Sequence, residues 1–122
     1  LALEYETKNS EYQEARKRNL AWAEKTLSEG LKSVDVLVGC TYGTAWERNL
    51  ETGDKYEDAT WITTAPAIAG TPIGTIPMGL VDGLPVGLGF VSGRNAENKL
   101  ISGMFQAEKA LSIGVMTPSF TK

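Results

Sequence analysis

The run from Gly70 to Gly93, GTPIGTIPMGLVDGLPVGLGFVSG, constrains the fold more than any other part of the chain. Glycines and prolines punctuate two short apolar stretches, and Asp82-Gly83 between them is the strongest local signal for a two-residue hairpin turn. In an extended second strand Val86, Leu88 and Phe90 share one face, while Pro85, Gly87, Gly89 and Val91 share the other. The centre of that second face is bare backbone. Glycine weakens a strand through entropy and the missing side chain, so two on one face mark close approach by another segment or by a ligand. Gly87-x-Gly89 with Gly93 departs from G-x-G-x-x-G and lies within a strand, so no dinucleotide or phosphate cradle follows.

The rest of the chain supplies what such a hairpin must pack against. Residues 9 to 29 carry Tyr12, Ala15, Asn19, Ala23 and Leu27 at helical spacing, with Ser10 and Gln13 as a capping box and Gly30 as the stop. Arg16-Lys17-Arg18 reads as a solvated helix face, being too small for a nucleic-acid footprint, and Tyr12 and Trp22 are expected to pack on their own domain. Val34 to Val38, VDVLV, is a β-branched run expected to be buried on both faces, with Asp35 at its entrance bonded to backbone. Cys40 follows as a small buried or half-buried residue; no histidine exists to activate it. A second amphipathic helix, capped by Asn95, runs to Leu111 through Leu100, Ile101, Met104 and Phe105. Its stripe should cover one face of the hairpin, with Met104 and Phe105 in the core, and the tail from Ser112 reads as irregular.

Between the first strand and the hairpin, Thr41 to Trp61 lacks periodicity yet holds Tyr42, Trp46, Tyr56 and Trp61. Large aromatics are costly to leave in water, so this long loop packs on something. Glu51, Asp54, Glu57 and Asp58 do not match the spacing of a calcium loop and read as a solvated acidic segment.

Composition bounds the chemistry. A chain of 122 residues with 42% hydrophobic content builds one domain with a modest core. A net charge of -3 gives no broad basic footprint for nucleic acid or anionic membrane, and no run is long enough to span a bilayer. With no histidine, any Ser-His-Asp, Cys-His or histidine-ligated metal mechanism is excluded for this chain acting alone. One cysteine forms no internal disulfide, which fits a reducing, cytoplasmic compartment.

The segment IPMGLVDGLPVGLGF resembles the C-terminal part of the amidase signature family, where a similar run precedes an amphipathic helix. The likeness extends upstream: Val34 to Trp46 (VDVLVGCTYGTAW) resembles the family's buried strand and following loop. Leu50 to Asp54 resembles a loop of its peptide-amidase-like members, and Ala65 to Gly70 (APAIAG) stands where the family has a short Ala-rich helix. The resemblance implies an α/β fold: a small mixed sheet with flanking helices, a C-terminal part of the amidase signature fold. It also implies a parent enzyme that hydrolyses carboxamide C–N bonds with two serines and a lysine, the serines lying in a Gly/Ser-rich signature toward the N-terminal side.

No such stretch occurs here. Ser92-Gly93 and Ser102-Gly103 are isolated pairs without the lysine arrangement, and the chain begins Leu-Ala-Leu. The expectation is therefore that residues 1–122 form a single C-terminal piece whose partner is the missing N-terminal catalytic half. No catalytic group, metal or cofactor is expected within it. The resemblance places Tyr42, Trp46 and Trp61 on the wall of the substrate funnel for a small amide substrate; anchoring of the loop to the core is the alternative. Cut off from its sheet, the piece is expected to self-associate through an exposed edge or apolar surface. Two other readings stay open: an amidase-like subunit of a tRNA-dependent amidotransferase, and a freestanding binding or interaction module.

Overall fold

The computed structural model describes residues 9–54 and 62–114. The elements run α1 (Ser10–Gly30), β1 (Val36–Cys40), α2 (Thr64–Ala69), β2 (Ile73–Val81), β3 (Leu84–Ser92) and α3 (Glu97–Leu111), in the expected order of helix, strand, loop, short helix, hairpin and helix. The class is α/β. The sheet has the order β1-β3-β2, and both pairings among the described residues are antiparallel.

Asp82-Gly83 makes the predicted turn, with φ of 52° and 79°. Both values are positive, as the tight turn that matches strand twist requires. Register then follows from Val81↔Leu84 down to Ile73↔Val91, interrupted by a bulge between Pro77 and Gly79. Because β3 is central, its alternation sorts the core into two clusters on opposite faces. On one face Ile76, Phe90 and Leu100 are buried, with Val36, Leu88, Met104 and Ala107 around them, so α3 covers this side. On the other, Val91 joins Ala23 and Leu27 of α1 and Ala69 of α2, with Leu31, Leu37, Ile62 and Ala65 at the margin. Arg94 fastens this second layer: its guanidinium donates to the Ala69 carbonyl at 2.7 Å and lies 3.7 Å from Glu24. Ser92 is fully buried and its hydroxyl donates to the Ala96 carbonyl, closing the turn from β3 into α3.

Several local expectations are corrected. The cap of α1 is Asn9, whose side chain accepts from the Glu11 amide at 2.8 Å, so the helix starts one residue before the Ser10 box. Asn95 does not cap α3; it takes φ 58°, a conformation asparagine tolerates, and Ala96 stands at the helix entrance. β1 is an edge strand in the described sheet rather than one buried on both faces, and Val38 is 52% exposed. α3 reaches Val36 through Gly103 but stops short of Val38, and Cys40 at the strand's end is exposed for the same reason. Tyr12 and Trp22 stay exposed, since α1 turns only its Ala23 and Leu27 line to the sheet. Of the Met104 and Phe105 pair, Met104 packs in the core beside Gly74, whereas Phe105 is 66% exposed, one helical step off the buried line.

Candidate functional site

The bare face of β3 is filled by other segments. Thr41, the first residue past β1, donates its amide to the Gly87 carbonyl at 2.9 Å, which continues the ladder by one step. This pairing aims its side chain over the glycines. There the Thr41 Oγ1 meets the Thr75 Oγ1 of β2 at 2.6 Å, so two strands that are not neighbours join hydroxyls across the central one. A Cβ at Gly87 would stand 2.6 Å from the Thr75 hydroxyl oxygen and 3.2 Å from that of Thr41. At Gly89 it would meet Ile62 Cγ2 at 2.6 Å and the Thr41 Cα at 3.2 Å. Both glycines are thus required by close approach, and the occupant is a threonine pair and an isoleucine.

The loop beyond Thr41 brings two of the three expected pocket residues together. The rings of Tyr42 and Trp46 lie 5.9 Å apart with planes tilted by 30°, a favourable aromatic contact. Each keeps more than a third of its surface open, at 37% and 38%. The third, Trp61, lies outside the described residues, as do Tyr56, Glu57 and Asp58. Further along, Asn49 organises a turn: its side-chain oxygen accepts from the amides of Glu51 and Thr52, each at 2.9 Å. Gly53, at φ 82°, completes it. Glu51 and Asp54 are exposed, and among the described residues no group of three His, Cys, Asp or Glu side chains is placed to hold a metal ion.

Sequence reasoning missed Thr41 and Thr75 because neither carries a motif. The available signal was indirect: two glycines on one strand face demand something small opposite them, and Thr41 and Thr75 are the hydroxyl residues that flank the pairing.

A second concavity, of about 430 Å³, lies between β1 and α3 and is lined by Asp35, Asn98, Lys99, Ser102 and Gln106. It holds a lysine and a serine, yet Lys99 donates to Asp35 at 2.8 Å and the Ser102 hydroxyl accepts from Gln106 at 3.2 Å. Asp35 therefore bonds to α3 rather than to backbone, in an ion pair exposed enough to contribute little. Neither group is set to act on the other.

No family model matches the chain. Over 62 residues, half of the chain, it is 44% identical to one subunit of the glutamyl-tRNA(Gln) amidotransferase of Clostridium kluyveri, of which that stretch is 13%. The structure of the native peptide amidase from Stenotrophomonas maltophilia matches 85% of the chain with a TM-score of 0.70 and 31% identity. A bacterial aryl acylamidase of the amidase signature family shares the fold over 90% of the chain, with a TM-score of 0.67 and 18% identity. The chain spans 21% of the peptide amidase and 26% of the aryl acylamidase.

Proposed function

We infer that this chain, which carries part of the amidase signature fold, is the C-terminal portion of an enzyme that hydrolyses carboxamide C–N bonds. Residues 1–122 supply strands, helices and a stretch of pocket wall, while the Ser-Ser-Lys triad is contributed by the N-terminal half of the parent. The observation that carries this reading is the joint likeness, in sequence and fold, to the peptide amidase. Tyr42 and Trp46 support the assignment of a wall: they stack with each other in the loop that follows β1 and keep open surface. Trp61 belongs to the same wall in this proposal. Alone, the chain is inert toward amides, and with its edge strand and apolar α3 surface uncovered it associates with itself. The single cysteine is what supports a cytoplasmic parent.

The experiment compares the full-length gene product with this chain on a panel of carboxamides that includes C-terminal peptide amides. Hydrolysis by the parent and none by the chain is expected. Turnover by the chain itself would place the chemistry within these residues and overturn the assignment.

A second reading, in which the parent is part of an amidotransferase, draws support from the 44% identity to the Clostridium kluyveri protein over half of the chain. The same panel separates the two. A peptide amidase turns over free peptide amides unaided, whereas the alternative calls for amide transfer to glutamyl-tRNA(Gln) and inertness toward the panel.

A further inference from the structure

We propose that Ile62 is a positioning residue for the pocket wall: seated in a hollow of two paired glycines, it clamps the returning end of the loop beside Thr41 and so fixes where Tyr42 and Trp46 stand. The proposal rests on the reading of these aromatics as wall in an amide hydrolase and adds what holds that wall in place. Residues 42–61 leave the sheet after Thr41, and the chain is back at Ile62, two residues before α2. Both ends converge on one glycine. A Cβ at Gly89 would meet Ile62 Cγ2 at 2.6 Å and Thr41 Oγ1 at 3.0 Å.

The two ends are tied by different means. Thr41 is held by polar groups: its amide donates to the Gly87 carbonyl at 2.9 Å and its hydroxyl meets that of Thr75. The Ile62 amide donates to the Cys40 carbonyl at 3.4 Å, a long and therefore weak bond, so the placement of this end falls to the side chain. That side chain has a matching seat. Gly39 of β1 and Gly89 of β3 are partners in register, and two bare residues side by side leave a hollow spanning both strands. Ile62 fills it with both branches: Cγ2 lies over Gly89, and Cδ1 would stand 3.3 Å from a Cβ at Gly39. A β-branched residue has few χ1 choices, so fixing both branches fixes its backbone as well. The seat is filled from within the chain and keeps its form whatever the rest of the parent lays over the sheet. Tyr42 is the first residue outside the clamp and its ring stacks with Trp46, so the direction in which the loop leaves Gly89 sets where both rings stand. Ile62 also borders the core of Ala23, Leu27, Ala69 and Val91, and the test separates a clamp from a core filler.

The full-length gene product is followed by hydrogen exchange and by steady-state kinetics on the carboxamide of the panel that it turns over with the lowest KM. Ile62→Ala empties the hollow. Exchange in peptides covering residues 41–54 should rise about tenfold while peptides of α3 keep their rates. KM should rise about fivefold with kcat within about twofold, as for lost uniform binding. A finer pair guards against simple misfolding. Gly39→Ala presses a Cβ against Ile62 Cδ1, the carbon that valine lacks. It should raise KM about threefold, and Ile62→Val added to it should bring KM back toward the starting value. Exchange that rises as much in α3 would make Ile62 a core filler, and unchanged exchange at 41–54 would mean that it clamps nothing. Effects of Gly39→Ala and Ile62→Val that simply multiply would mean that the two residues are not coupled. Each of these overturns the proposal, as does faster exchange at 41–54 with KM unchanged, since the clamped rings then touch no substrate. If the unaltered gene product hydrolyses no amide, the amidase reading fails and the wall role with it, while exchange still shows whether Ile62 holds the loop.

Discussion

A methyl group added at Gly89 would lie 3.2 Å from the backbone at Thr41, which is held in the ladder and cannot swing away, and 2.6 Å from the Cγ2 of Ile62, a β-branched side chain stiff at its first torsion. At Gly74 the crowding atoms belong instead to the end of the Met104 side chain, which has three rotatable bonds. Gly89→Ala should therefore cost about 1–3 kcal/mol through overpacking, and Gly74→Ala distinctly less. Urea unfolding of the two variants in dilute solution checks the order, and a larger loss at Gly74 would contradict it. At this scale the glycines were legible, since their placement on one strand face announced a close approach. The identity of the approaching atoms was not, because Thr41 and Thr75 lie 34 residues apart and meet only through the register of two strands on a third.

Among the elements, α1 shows how a small error at a terminus arises. Ser10 and Asn9 are both good caps, and the Gln13 spacing favoured Ser10; the helix chose Asn9, whose carboxamide reaches the Glu11 amide. Asn9→Ala should lower stability by about 1 kcal/mol and Ser10→Ala by a few tenths, measured by chemical denaturation. The reverse order would restore the box. α3 carries the opposite lesson. Its apolar positions recur as one stripe in the sequence, but a helix on a three-stranded sheet buries only the line that faces it, here Leu100, Met104 and Ala107. Ile101 and Phe105 are left 64% and 66% exposed. Spacing predicts the helix, while the width of the surface it meets decides how much of the stripe is covered.

For the whole molecule, the exposed apolar surface is the salient property. Val38 on the edge strand, Trp22 on α1 and Ile101 and Phe105 on α3 are each more than half exposed, and the last two are neighbours four residues apart on one face of the helix. The other outer strand, β2, is blunted by Pro77 and the adjoining bulge, which leaves β1 as the edge open to pairing. The chain produced alone should form oligomers that grow with concentration in sedimentation velocity, and replacing Phe105 by Lys should reduce them. A strictly monomeric species up to high concentration would count against the uncovered-surface reading. Tyr42 and Trp46 were legible as packed loop aromatics because their size forbids full solvation, yet nothing in their spacing foretold that they would stack on each other. Local pattern was enough for the order of elements, the hairpin and its turn, since these depend on propensity, positive φ at Asp82-Gly83 and alternation along a strand. Packing between distant segments set the rest: which face of each helix is buried, that β1 stands at an edge with Cys40 exposed, and that Thr41 meets Thr75 over the glycines. Those outcomes depend on the register and reach of elements far apart along the chain, which no run of neighbouring residues encodes.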